Sequence, residues 1–248
     1  MCDNKQFISY RLSNIFHGGK RNGDTFWGNV PTYFPNSLGH LYVKENNGTT
    51  HSGRWGGWRS NANVIKKIIT IYEAENKNYI EYGRKLPGDD EVVIHLRMGD
   101  VIGSTSTDYP IHLFKYKDVA INVYKSHVHT IEYYEKVVRS IINIKKIKTV
   151  VLMGNMFHNN NKCGQSILNN EKYLDCMIDF FENHGFNVET CISRKYDPDQ
   201  LHHTNVDREF IYMTKAKYYV ASKTEYVSTT FSNVIGSVVK ANGGVWLG

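Results

Sequence analysis

Cysteine is scarce in this chain: four thiols in 248 residues, Cys2, Cys163, Cys176 and Cys191, with no C-x-x-C pair among them. That excludes the ligand spacing of a structural zinc site and the dense framework of a small disulfide-bonded domain, and leaves reduced, partly buried thiols as the expectation. Missing too is any apolar run near the roughly 18 residues of a membrane span. The start, Met1-Cys2-Asp3-Asn4-Lys5-Gln6, has no charged-then-apolar signal pattern. A soluble, cytoplasmic chain with no membrane span is therefore expected. Asn47-Gly48-Thr49 matches a glycosylation sequon, which carries weight only with a secretory route. Long charge blocks are absent as well, since 30 Lys and Arg are interspersed with 24 Asp and Glu for a net charge of +6. Such a balance favours an anionic partner and suits a phosphorylated small molecule, with nucleic acid the weaker reading because the cations are scattered. No internal repeat is visible, and Asn159-Asn160-Asn161-Lys162 is a local polar tract of the kind that forms loops.

What is present begins with aromatics. The 17 Tyr would suit sugar or base stacking, although most tyrosines pack at the edge of a core. Residues 1 to about 62 are rich in Gly, Asn and aromatics with little periodicity, whereas everything after Glu91 alternates short apolar runs with helical patterns. The boundary is expected near Leu86-Pro87-Gly88-Asp89-Asp90, giving a small amino-terminal domain, 1–88, and a second domain, 89–248. Spacings near three and four predict helices over about 63–82, 130–144, 171–184, 207–216 and 230–240. Gly185 is expected as the left-handed stop of the third of these. Strands are expected at 92–96, 149–153, 186–192, 217–221 and 245–247. Five strands alternating with four helices imply an α/β fold, a Rossmann-like parallel sheet in the carboxyl-terminal half beside the smaller amino-terminal domain.

Two segments of that half look suited to phosphates. The first is His95-x-Arg97-x-Gly99-Asp100, following the apolar strand Val92-Val93-Ile94. Ligands of open α/β sheets collect beyond the carboxyl ends of strands, where an arginine fork can hold a phosphate by two parallel hydrogen bonds. Gly99 would let backbone approach a ligand, and Asp100 would orient Arg97 or act on a proton. The same residues equally suit an Arg97–Asp100 pair that merely ties down a loop. His95 is expected to brace the loop, since its side chain alternates with that of Leu96. The second segment, Ser228-Thr229-Thr230-Phe231-Ser232, sets hydroxyls at the start of an apolar helix, where unpaired amides and the positive dipole end favour a pyrophosphate. One hydroxyl suffices for a helix cap; four exceed it.

These segments together carry a family resemblance. Val92-Val93-Ile94-His95-Leu96-Arg97-Met98-Gly99-Asp100 resembles the His-x-Arg-x-x-Asp motif of the fucosyltransferase superfamily, which includes the alpha-1,2-, alpha-1,6- and protein O-fucosyltransferases. The pair Tyr133-Tyr134 opening the next helix fits too, as does Asp207-x-x-Phe210-x-x-Met213-x-x-Ala216-Lys217 followed by an apolar strand and the hydroxyl cluster. The resemblance covers about residues 91 to 240. It implies a reduced GT-B-like, metal-independent inverting glycosyltransferase, in which residues 89–248 bind the nucleotide sugar, GDP-fucose, and residues 1–88 face a glycan or other hydroxyl acceptor. It implies that Arg97 holds the diphosphate, that Ser228, Thr229, Thr230 and Ser232 complete the cradle, and that Gly154, Asn155 and Asp207 lie near base or ribose. Arg97 and Asp100 are the expected catalytic pair, with Asp100 the nominal base. No metal or other cofactor is expected.

Departures accompany the likeness. Many members carry two adjacent arginines where this chain has Arg97 and Met98, which puts donor affinity or identity in question. The amino-terminal half is short for a GT-B partner domain, and His17-Gly18-Gly19-Lys20 only loosely echoes a Gly-rich donor loop. Asp197-Pro198-Asp199 has D-x-D spacing but reads as an Asp-Pro turn. Trp55, Trp58, Tyr109, His112 and Tyr116 would supply an acceptor platform, or Trp55 and Trp58 a packed corner. A non-catalytic nucleotide- or glycan-binding module on the same sheet is the alternative.

Overall fold

The computed structural model describes residues 86–103, 110–156, 164–192, 206–223 and 231–247, together with Lys66, Ile69 and Thr70. The chain divides into two compact units. One comprises Met1–Leu86, Pro198–Lys215 and Val227–Gly243; the other comprises Pro87–Asp197, Ala216–Tyr226 and Gly244–Gly248.

The second unit holds all the described strands. Five of them, β1 (Glu91–Leu96), β4 (Thr149–Gly154), β5 (Asn187–Thr190), β6 (Tyr218–Val220) and β7 (Val245–Trp246), form one parallel sheet in the order β5-β4-β1-β6-β7. Counted along the chain, that is third, second, first, fourth, fifth, an order found in Rossmann-like sheets. Val92, Val93 and Ile94 of β1 and Val150, Val151 and Leu152 of β4 are all fully buried, which is why these strands read as continuous apolar runs without alternation. Gly154 ends β4 opposite Leu96, and a Cβ there would overlap the Leu96 carbonyl oxygen.

Two helices belong to this unit. Helix α1 (Ile131–Asn143) buries Tyr134, Val137, Val138 and Ile141, while Ile142 points outward at 55% exposure. Helix α2 (Gly164–Asn183) buries Asn170, Tyr173, Leu174, Met177, Phe180 and Phe181, a stripe at spacings of three and four. Its carboxyl end closes as expected. Gly185 takes φ 84, its N–H bonds Glu182 O at 2.9 Å, and the N–H of Phe186 reaches back to Phe181 O at 3.2 Å, the paired bonds of a Schellman motif.

Helix α2 starts at Gly164, a full two turns before the expected residue 171. Ser166, Asn169 and Asn170 are weak helix formers, so propensity alone hides those turns. The Asn170 side chain instead bonds Gly99 in the turn that follows β1. The sequence pattern also missed an antiparallel hairpin, β2 (Ile111–Tyr116) with β3 (Val119–Tyr124). Its turn is Lys117-Asp118, with Lys117 at φ 48, and lacks the Asn-Gly signature of a two-residue hairpin. Tyr116 OH donates to Asp179 Oδ2 at 2.6 Å and Lys117 Nζ lies 2.5 Å from the same atom, so the hairpin tip is fastened to the last turns of α2.

In the first unit, α3 (Val206–Thr214) and α4 (Phe231–Ala241) pack together. They bury Phe210, Ile211 and Met213 on one and Ile235, Val238 and Val239 on the other. Their carboxyl ends are tied where Asn242 Nδ2 donates to Thr214 O at 2.9 Å, and Lys66 Nζ donates to Ala241 O at 2.7 Å. Lys66, Ile69 and Thr70 are helical, as the 63–82 pattern expects; its other residues lie outside the described ones.

Candidate functional site

The order of the parallel strands locates a topological switch. From β1 the chain goes to β4 and β5 on one side, whereas β6 and β7 lie on the other, so the place for a ligand is beyond the carboxyl ends of β1 and β6. Pairing of β1 with β6 stops at Ile94↔Val220, while pairing with β4 runs on to Leu96↔Gly154. The sheet therefore opens on the β6 side of the segment that carries Arg97.

Arg97 leaves β1 as its first unpaired residue and is folded over the loop that follows. Its Nη1 donates to Met98 O at 2.8 Å and its Nη2 to Asp100 Oδ1 at 2.7 Å, with the two side chains 20% and 28% exposed. Two of the five guanidinium donors are thus used on the loop. The ion pair that the sequence left as an alternative to a ligand site is present, and it is compatible with a partly exposed fork that retains further donors. His95 lies within β1 opposite Met153, on the face opposite that of its neighbours Ile94 and Leu96. Met98, at the place of a second arginine, is 1% exposed and part of the core.

Lys223 lies three residues past Val220, the last residue of β6 paired with β1, so a second cation follows the sheet at the same end as Arg97. Composition hid it, because the two residues are 126 positions apart in a sequence of scattered cations. His129, the residue before the amino-terminal cap of α1, reaches the end of β6. Its Nε2 donates to the carbonyl of Ala221, just past β6, at 3.3 Å; its ring stacks on Tyr133 at 3.5 Å and 5°. Burial pushes the imidazole down to about 4, opposed by the bond to Ala221 and reinforced by the charge of Lys223. At neutral pH the ring is therefore uncharged, with the proton on Nε2 and a lone pair on Nδ1.

The Tyr133-Tyr134 pair divides between two tasks. Tyr133 forms the stack, and burial raises its hydroxyl to about 12. Tyr134 is 2% exposed in the core and its hydroxyl bonds that of Tyr173.

Of the remaining expected site residues, Gly154 and Asn155 end β4 beside β1. The close approach to Leu96 accounts for glycine at 154 without a ligand. Asp207 belongs to α3 and Ser232 to α4, both in the other compact unit, where Ser232 is 1% exposed. Ser228, Thr229 and Thr230 lie outside the described residues, as do His17-Gly18-Gly19-Lys20, Trp55, Trp58, Tyr109 and Asp197-Pro198-Asp199. His112 and Tyr116 belong to the hairpin, where Tyr116 serves the bond to Asp179. On α3, Glu209 is a carboxyl the sequence did not single out; burial pushes it up to about 8. Among the described residues, no three His, Cys, Asp or Glu side chains gather as a metal site, and no helix is long and apolar enough to cross a membrane.

No protein-family model, curated protein or solved structure matches this chain.

Proposed function

We propose that the chain is an inverting glycosyltransferase of GT-B type that takes its sugar from a nucleoside diphosphate donor, GDP-fucose, and passes it to a hydroxyl of a glycan. The observation that carries this reading is Arg97 at the carboxyl end of the first parallel strand, on the side where the sheet order reverses. In the transfer, the acceptor oxygen bonds to the anomeric carbon from the face opposite the diphosphate as the bond to the diphosphate oxygen breaks. Charge grows on the departing diphosphate, and Arg97, already held by Met98 O and Asp100 Oδ1, meets it with little reorganisation at the moment of reaction, Lys223 adding positive charge at the same end of the sheet. The acceptor proton passes to Asp100, which also orients Arg97 through Oδ1. The chain's own cations supply the leaving-group stabilisation, so metal-independent turnover is part of the proposal.

A second reading, a nucleotide-binding module without turnover, draws on the buried Met98 in place of a second arginine. One experiment separates the two. The protein is incubated with a panel of GDP- and UDP-sugars while melting temperature and released free nucleotide are both followed. A transferase is protected by its donor and releases nucleotide, slowly to water and faster with acceptor; a binding module is protected and releases none. Arg97→Ala is expected to lose donor binding while keeping the native circular dichroism spectrum. Unchanged donor affinity in that variant would remove Arg97 from the site.

A further inference from the structure

Gly99 is the pivot of the loop that carries Arg97. It takes φ 79, a left-handed conformation that side chains with a Cβ resist, and opens a single 3-10 turn, Gly99–Val101. Having left the sheet, its buried N–H has no ladder partner. The partner is Asn170 of α2, whose side chain is 0% exposed. Asn170 Oδ1 accepts from the N–H of Gly99 at 2.7 Å, and Nδ2 donates to the carbonyl of the same residue at 3.1 Å. The second Nδ2 hydrogen goes to Ser166 O, one turn back on α2, at 2.8 Å. Both donors of the amide and its acceptor are thereby engaged. A reversed amide would turn NH2 against N–H, so the orientation is fixed by the bonds themselves.

The chemistry of the residue is specific. A carboxamide offers a donor and an acceptor side by side, as a peptide group does, and can therefore satisfy both polar groups of one backbone residue. Aspartate lacks the donor, and leucine would leave a buried N–H without a partner. The two acceptors that hold the Arg97 guanidinium, Met98 O and Asp100 Oδ1, come from the residues on either side of Gly99.

We propose that Asn170 is the positioning residue of the anion site: by clamping Gly99 it fixes the Met98 carbonyl and the Asp100 carboxylate, and through them the direction of the Arg97 guanidinium. The inference rests on the reading that Arg97 holds the donor diphosphate. It adds a residue on a distant helix that touches no ligand, 73 positions beyond Arg97.

The test uses the full chain, GDP as probe, and two readouts. In the ligand-free protein, Asn170→Leu, which removes the acceptor of the Gly99 N–H, is expected to speed amide exchange of Gly99 by about tenfold or more. GDP affinity is expected to fall by a similar factor. Gly99→Ala disturbs the same pivot without touching α2 and is expected to weaken GDP alike, which keeps the test open if the Asn170 variant fails to fold. The decisive arm is Arg97→Lys, which keeps the charge without the fork. In that background Asn170→Leu should weaken GDP by less than about twofold, because a residue acting through the guanidinium has nothing left to aim. Full loss persisting in the lysine background, or an unchanged Gly99 amide, would overturn the role of Asn170 while leaving Arg97 in place. A wild-type protein that binds neither GDP nor pyrophosphate overturns the diphosphate reading itself, and the role of Asn170 with it.

Discussion

At the scale of single residues, chemistry in this protein is set by what each polar group is forced to face. His129 is the clearest case. Its imidazole is pushed from the usual 6.5 down to about 4 by burial, so between those values the unfolded chain binds a proton that the folded one refuses. Stability from this group is complete above pH 6.5 and is lost as pH falls toward 4, an effect on the order of 3 kcal/mol. His129→Gln is therefore expected to melt below wild type at pH 7.5, with the gap closing as pH is lowered to 4. A gap independent of pH would show that the ring is not held neutral. Arg97 shows how far a residue is legible in sequence. Its place after an apolar strand, and the Asp three residues on, give away both the fork and its ion pair. The orientation of the fork is another matter, because it depends on Gly99 and so on Asn170, which an apolar-pattern reading passes over as part of a loop.

Helices and strands follow their periodicity closely, and their misreadings have local causes. Strands β1 and β4 stand where unbroken aliphatic runs place them, the shorter β5, β6 and β7 lie within the expected ranges, and α1, α3 and α4 follow their spacing within a few residues. The pattern shows helix α2 short because Asn-rich turns have little propensity, while the energy that makes them helical comes from packing and from the bonds of Asn170 to Gly99 in the turn after β1. The hairpin is hidden in the sequence because Ile111 and Leu113 are apolar on its exposed face, which breaks the alternation, and because Lys117 at φ 48 offers no glycine or asparagine to mark the turn. The pairing of β4 with β1 depends on Gly154, whose Cα faces the Leu96 carbonyl. Gly154→Ala is expected to cost about 1 to 3 kcal/mol, the range for forcing a methyl into a filled space. Chemical denaturation will measure it. A variant as stable as wild type would mean that the two strand ends separate freely, and the site at their tip would lose its fixed wall.

At the scale of the whole molecule, all parts of the proposed anion site so far identified, Arg97, Asp100, Lys223, His129 and Asn170, belong to one compact unit. Binding there should stabilise that unit directly. GDP at about 100 times its dissociation constant is expected to add about 2.7 kcal/mol. Hydrogen exchange should show the added protection in β1, β4 and β6. Protection confined to α3 and α4 would move the site to the other unit and to Ser232 and Asp207. The net charge of +6, spread without a block, adds attraction for anions at a distance but selects none of them.

The class of architecture is legible in the residues alone, because burial on both faces writes a central parallel strand such as β1 or β4 as an unbroken apolar run and a covering helix as a stripe of period near 3.6. The residues alone also mark Arg97, since position at a strand end is a local property. Which residues stand beside Arg97 was decided only by tertiary structure. Lys223 comes to the same end of the sheet through strand order, His129 reaches Ala221 through the seating of α1, and Asn170 meets Gly99 across 71 residues of chain. Each depends on how elements pair at long range, a choice set by the packing of the whole sheet unit and written in no short stretch of residues.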